Sequence, residues 1–162
     1  MRRSISFVAG NGRDDAIHDF GLAIESHPTA RNILLIDSEE CFRDALAKDL
    51  CRTNHIGRAH VRSVFWMVQI MESWFLADPI ALSKYYGSGF NAKHLGSQKV
   101  SETIPKADVL AKLKRASRKT AKGEYHKTAH APELLAKIDP ARIRGASVNC
   151  DRLFRAILKA LA

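Results

Sequence analysis

Three carboxylates in this chain are placed where they could bind a metal ion. Asp37 and Glu39 follow directly after the apolar run 33–36, and Glu72 lies inside the most apolar stretch, residues 64–78. A short continuous apolar run is typical of a buried strand, and open α/β folds bind ligands at the carboxyl ends of their strands. Carboxylate oxygens are the ligands that Mg²⁺ and Mn²⁺ prefer. We therefore predict that Asp37, Glu39 and Glu72 are catalytic residues that share one Mg²⁺ or Mn²⁺ ion.

Each of these acids also has a structural explanation. Asp37 or Ser38 would cap a following helix, and Glu39 would lie near the positive end of its dipole. Glu72 would be a buried acid satisfied by an arginine, a tryptophan indole or backbone groups. Asp78, directly before Pro79, is typical of a helix N-cap. The residues alone leave the two explanations of the three candidate ligands open.

The positive charge of the chain is concentrated in its last third. Residues 1–105 hold 12 Lys/Arg and 12 Asp/Glu, whereas residues 106–162 hold 14 and 5, so the whole excess of +9 lies there. Such asymmetry indicates a surface for nucleic acid or an acidic partner, and the alternative is a solvated basic helix face. The predicted nucleic-acid contacts are Arg13, Lys106, Arg115, Arg118, Lys119, Lys127 and His130.

Two histidines four residues apart, His126 and His130, have a spacing that can bind zinc on a helix. No third ligand accompanies them, and Lys127 lies between them. We predict instead that they, with Tyr125 and Lys127, contact phosphate.

The order of the predicted elements indicates one α/β domain over residues 1–162. Residues 1–105 would hold a small, mostly parallel sheet with flanking helices and the acidic cluster, and residues 106–162 a basic helical part. The predicted strands are 4–9, 32–36 and 61–69. The predicted helical segments are 13–26, 39–52, 71–77, 80–86, 106–119, 131–138 and a last helix capped by Asn149.

Composition excludes several classes of protein. The stretch at 64–78 is too short for a membrane span, and the basic N-terminus lacks the apolar core of a signal peptide. Cys41, Cys51 and Cys150 have no metal-type spacing, so we expect reduced thiols in a cytoplasmic protein. The chain contains neither a phosphate-binding P-loop nor a Gly-x-Ser-x-Gly nucleophile motif.

Several segments of the chain, taken together, resemble a bacterial family catalogued as domain of unknown function 4276. The resemblance covers nearly the whole chain and is most specific at Met-Glu-x-Trp-Phe-Leu-Ala-Asp, residues 71–78. The other matching segments are Gly12-Arg13-Asp14, Leu34 to Glu39, Tyr86-Gly87, Glu102-x-Ile104-x-Lys106, Tyr125-x-Lys127, His130, Leu134-Leu135 and Ile138-Asp139-Pro140.

This resemblance implies a TOPRIM-like fold, association with an ABC-type ATPase and a role in phage defence. TOPRIM domains hold Mg²⁺ with one acid on the first strand and an Asp-x-Asp type pair, which Asp37 and Glu39 match. The first-strand glutamate has no counterpart, because the N-terminal strand of typical members is not found here. The resemblance therefore implies that Glu72 or a second subunit completes the cluster, or that the protein is not catalytic. An absent strand would also expose a sheet edge through which a homodimer could form.

Two functions fit these features. The first is a Mg²⁺-dependent nuclease, a hydrolase that acts on nucleic-acid phosphodiesters. The second is a non-catalytic nucleic-acid-binding or regulatory subunit of an ATPase complex.

Overall fold

A computed structural model describes residues 5–96 and 101–162 of the protein. Two strands form a parallel sheet in which Leu34 lies opposite Val64 and Asp37 opposite Met67. The strands are β1 (Leu34–Asp37) and β2 (Val64–Met67). The helices are α1 (Arg13–Ser26), α2 (Leu46–Thr53), α3 (Glu72–Leu76), α4 (Pro79–Tyr86), α5 (Lys106–Ser117), α6 (Lys127–Leu135), α7 (Pro140–Ala146) and α8 (Val148–Leu161), with 3-10 turns at Arg58–Ser63, Ala92–Leu95 and Ser101–Thr103.

The sheet separates two apolar clusters. Alternate strand residues such as Leu34, Ile36 and Trp66 pack with α1 and α2, whereas Leu35 and Phe65 pack with the helices that follow β2. Asp37 has the same parity as Leu35, so its side chain belongs to the face of the later helices. This alternation directs the first candidate ligand toward the C-terminal part of the chain.

The predicted fold class is confirmed: the protein is α/β, with a small parallel sheet, flanking helices and a helical C-terminal third. The predicted helices at 13–26, 71–77, 80–86 and 106–119 form within two residues of their expected ends. In the part of the chain that the structure describes, no helix has the length and apolarity needed to cross a membrane.

The predicted N-terminal strand is wrong for residues 5–9, which form no strand, while Ser4 lies outside the described residues. Phe7 is 88% exposed and Val8 78% exposed. The alternating pattern favours an extended chain, but a strand also needs a partner for its backbone groups. Among the described residues the sheet consists of β1 and β2 alone.

Backbone geometry after each strand explains two shortened elements. The helix expected from residue 39 begins only at Leu46, because Glu39 adopts φ 62 and the Ser38 hydroxyl donates to the Glu40 carbonyl at 2.6 Å. The strand expected over 61–69 is limited to β2, since residues 58–63 form a 3-10 turn and Gln69 has φ 48. Left-handed backbone at a non-glycine residue interrupts both helix and strand.

Two boundaries in the C-terminal third also differ from prediction. The helix expected over 131–138 starts at Lys127, so Pro132 lies inside α6 rather than at its start. The last helix is capped by Ser147, whose hydroxyl accepts from the Cys150 N–H at 3.0 Å, and not by Asn149. The early start of α6 places Lys127 in its first turn, at the N-terminal end of the helix.

Candidate functional site

Asp37 joins the end of β1 to the start of α3. Its Oδ1 accepts a hydrogen bond of 2.8 Å from the Met71 N–H, across 34 residues of sequence. Its backbone carbonyl accepts a hydrogen bond from the Arg13 guanidinium. The expected role of Asp37 or Ser38 as a helix cap is wrong, because α2 begins nine residues after Asp37. The carboxylate instead joins the end of β1 to the N-cap residue of α3.

Glu72 is buried in the first turn of α3 with a side chain only partly satisfied. It is 1% exposed, and its Oε1 accepts a hydrogen bond of 2.9 Å from the Tyr125 hydroxyl. Its Oε2 has no hydrogen-bond partner among the described residues. The expected partners, an arginine, an indole or backbone groups, are absent from the described contacts, and the buried Trp74 Nε1 is itself without a partner there. A buried carboxylate oxygen without a partner is destabilising.

Lys127 connects the two acids. Its Nζ lies 3.8 Å from Asp37 Oδ2 and 3.7 Å from Glu72 Oε1. The lysine side chain is 60% exposed, whereas that of Asp37 is 17% exposed. The ammonium group therefore lies at the solvent-facing side of a carboxylate pair whose other side is buried.

Burial dominates the electrostatics of Asp37 and Tyr125. It raises the pKa of Asp37, an effect opposed by the charge of Lys127 and the hydrogen bond from Met71. Burial, followed by the negative charge of Glu72, also raises the pKa of Tyr125. Tyr125 is therefore a hydrogen-bond donor to Glu72 at all physiological pH values.

Glu39 belongs to a second, more exposed pair. Its carboxylate forms a salt bridge with Lys106 Nζ, and this contact raises the pKa of the lysine. Gln69 positions both partners, since its carbonyl oxygen accepts from the Glu39 N–H at 2.9 Å and its Oε1 from the Lys106 N–H at 3.0 Å. Sequence reasoning missed Gln69, and its only signal is a polar residue within an apolar stretch.

The seven predicted nucleic-acid contacts fall into three groups. Lys106 contacts Glu39, Lys127 contacts Asp37 and Glu72, and Arg13 contacts the backbone carbonyl of Asp37. Arg115, Arg118 and Lys119 are exposed on and after α5, and the described residues provide no salt bridge for them. Of these groups, the structure therefore places only the first beside the acidic residues.

The seventh predicted contact, His130, is buried and satisfied. Its Nδ1 accepts from the His126 N–H at 3.1 Å and lies 3.0 Å from the Tyr86 hydroxyl. Burial lowers its pKa, which favours the neutral ring. The His126 N–H makes Nδ1 an acceptor, and the side chain lies within a cluster of tyrosine rings rather than at the surface.

No group of three or more His, Cys, Asp or Glu side chains is arranged to hold a metal ion within residues 5–96 and 101–162. Asp37 and Glu72 both contact the ammonium group of Lys127, whereas Glu39 forms a salt bridge with Lys106. Lys127 thus joins Asp37 and Glu72, while Glu39 is joined to Lys106, and the negative charge of Glu39 still acts on Asp37.

Comparison with known protein families gives one match over nearly the whole chain. The model of a family described as "Domain of unknown function (DUF4276)" matches residues 3–158. No curated protein and no solved structure matches the chain.

Proposed function

Because the chain belongs to the DUF4276 family, whose description states no activity, we propose its function from the site: divalent-metal-dependent hydrolysis of nucleic-acid phosphodiesters. The observation that carries this proposal is the buried carboxylate of Glu72: its Oε2 has no hydrogen-bond partner among the described residues, and its Oε1 shares the Lys127 ammonium group with Asp37. An unpartnered buried oxygen lowers the stability of the fold if the acid is purely structural, whereas it is free to coordinate a cation if the acid is a metal ligand.

The residues fit a magnesium ion held partly by substrate. Mg²⁺ in phosphate-processing sites commonly uses one or two carboxylates and completes its shell with water and substrate phosphates. Asp37 and Glu72 would hold it from two different elements. When bound, such an ion would stabilise charge on a phosphoryl oxygen and generate a nucleophile from water. In this proposal Glu39 positions Lys106 and does not ligate the metal.

The remaining residues would bind the substrate backbone. Lys106, Lys127 and Arg13 surround the carboxyl end of the sheet, and lysine and arginine are the usual contacts of phosphates. Arg115, Arg118 and Lys119 would extend this contact along α5. Binding through these residues would be independent of sequence and would weaken with salt.

The test compares nicking of plasmid DNA and cleavage of labelled RNA with Mg²⁺, Mn²⁺ or EDTA. We expect Asp37→Asn and Glu72→Gln to reduce activity at least about a hundredfold, the usual effect of losing a charged group that stabilises the transition state. The matched control is Glu40→Gln, an exposed acid whose described ion pair is with Arg43. Calorimetric titration with Mn²⁺ adds a readout independent of turnover. Equal cleavage by wild type and both site variants would overturn the assignment.

A further variant tests the role of Lys127. Its ammonium group competes with any metal for Asp37 and Glu72, so Lys127→Met should tighten Mn²⁺ binding by about tenfold. The same variant should weaken nucleic-acid binding, because a phosphate contact is lost. Lys137→Met, which removes an exposed charge beyond the end of α6, is the control and should change neither measurement. Unchanged metal affinity in Lys127→Met would show that the lysine and the metal do not share a site.

One observation favours the second candidate function, a non-catalytic nucleic-acid-binding or regulatory subunit. Lysines already accompany all three acids: Lys106 contacts Glu39, and Lys127 contacts Asp37 and Glu72. In this case the basic surface would bind nucleic acid while an ABC-type ATPase supplied the activity. This candidate predicts no Mn²⁺ binding and no cleavage, but salt-sensitive nucleic-acid binding that is lost in an Arg115→Gln/Arg118→Gln/Lys119→Gln variant.

A further inference from the structure

We propose that a cleft between α2 and the turn Arg58–Ser63 binds a nucleoside phosphate, at a site separate from the carboxylates. The cleft has a volume of about 860 Å³, which lies within the range of roughly 300–1,000 Å³ typical of small-molecule sites. Both elements belong to the connection between β1 and β2, so the cleft is built from a single continuous segment.

The rim of the cleft is strongly basic. Four cations line it, Lys48, Arg52, Arg58 and Arg62, against a single acid, Asp49. That acid is already engaged, since Oδ2 accepts from Arg43 at 2.6 Å and Oδ1 from Arg52 at 3.2 Å. Within the described residues no salt bridge neutralises the other three cations of the rim. This concentration of charge occurs in the part of the chain whose overall charge is zero, and it suits a phosphate group.

The interior of the cleft is apolar. Cys51 is 2% exposed, and Ile56 and Val61 are half-buried. Burial raises the pKa of the Cys51 thiol, so this side chain is neutral and acts as part of the apolar wall. Inorganic phosphate would use the rim alone, whereas a ligand with a flat apolar ring beside its phosphate would use rim and wall together. A nucleoside phosphate has this composition.

The cleft lies away from the candidate site. Arg62 lies two residues before β2, and Asp37 lies opposite Met67 at the far end of that strand. At about 3.3 Å per residue, the two are separated by roughly 15 Å along the sheet. The ligand is therefore not the scissile group. It is either a free nucleotide or one nucleotide of a bound single strand, two sources with the same chemistry.

The experiment measures binding without metal, so that its result does not depend on the proposed hydrolysis. Calorimetric titrations use AMP, adenosine and inorganic phosphate in EDTA at physiological ionic strength, and fluorescence anisotropy uses a short labelled oligonucleotide. Arg62→Gln removes a rim charge, and Ala59→Phe fills the cleft from an exposed lining position while leaving every charge in place. The matched control is Arg31→Gln, which removes an exposed cation outside the cleft.

We expect AMP to bind more tightly than adenosine or phosphate. Arg62→Gln should lose about tenfold or more in affinity, as for a lost charged hydrogen bond, and Ala59→Phe should lose about as much because the added ring occupies the cleft. Arg31→Gln should retain wild-type affinity. Binding of the oligonucleotide alone, with the same pattern among variants, would identify the strand as the source. The proposal is overturned if neither AMP nor the oligonucleotide binds, if phosphate binds as tightly as AMP, or if Ala59→Phe binds like wild type.

Discussion

Two buried carboxylates in the same apolar stretch have opposite surroundings. Glu72 and Asp78 are 1% and 3% exposed. Asp78 is fully used: Oδ1 accepts from the Ala81 N–H at 3.1 Å, Oδ2 from the Asp139 N–H at 2.9 Å, and Arg142 Nε lies 3.7 Å away. Glu72 has one hydrogen bond and one oxygen without a partner in the described residues. Burial alone therefore does not distinguish a structural acid from a candidate ligand, whereas the count of satisfied oxygens does.

The largest expected effect is the loss of Asp78. In Asp78→Ala the first turn of α4 loses its cap and the Asp139 N–H, at the N-cap position of α7, loses its acceptor, so we expect the free energy of unfolding to fall by about 3 kcal/mol. Glu72→Gln should change it by less, about 1 kcal/mol, because the amide oxygen can still accept from Tyr125, while the amide nitrogen replaces an oxygen that has no partner in the described residues. Urea denaturation measures both. Comparable losses in the two variants would contradict the distinction between the acids.

A smaller effect is expected where Glu72 is held. Tyr125→Phe removes the hydroxyl that donates to Oε1, and we expect a loss of about 1–2 kcal/mol in the free energy of unfolding. Tyr85→Phe is the control, because Tyr85 lies in the same aromatic cluster and donates no hydrogen bond in the described residues. A double-mutant cycle with Glu72→Gln isolates the interaction. A coupling energy near zero would show that the hydroxyl does not hold the carboxylate.

The contrast between the acids also marks how far the sequence could predict the site. Asp78 was predictable because its cap depends on neighbours in sequence, Pro79 and Ala81. The surroundings of Glu72 were not, since Tyr125 and Lys127 come from more than fifty residues away. The residue types of the site were found, but their pairing depends on tertiary structure: Lys106 faces Glu39, and Lys127 faces Asp37 and Glu72.

The same limit applies to the fold. Helices α1 and α5 were predictable from local periodicity, because their buried residues, such as Ile17 and Phe20 or Val109 and Leu113, recur at helical spacing. Residues 5–9 have an equally clear alternating pattern but no strand partner in the described sheet. The late start of α2 follows from the positive φ of Glu39, which its residue type does not signal.

The smallest expected effect is a pH dependence at Asp37. Burial raises the pKa of this carboxyl above its ordinary value of 3.8, so the folded protein binds the proton more tightly than the unfolded chain does. The contribution of Asp37 to stability is therefore greatest below pH 3.8 and is lost as the pH rises from there through the raised pKa. Asp37→Asn, which does not ionise, should gain stability relative to wild type across this window and hold a constant difference above it. Urea unfolding at a series of pH values measures this difference, with Glu40→Gln as the exposed control.

If the wild type instead gained stability relative to Asp37→Asn with rising pH, the charge of Lys127 and the hydrogen bond from Met71 would outweigh burial. Asp37 would then be a structural acid like Asp78, and the case for a cation site beside Glu72 would lose one of its two ligands.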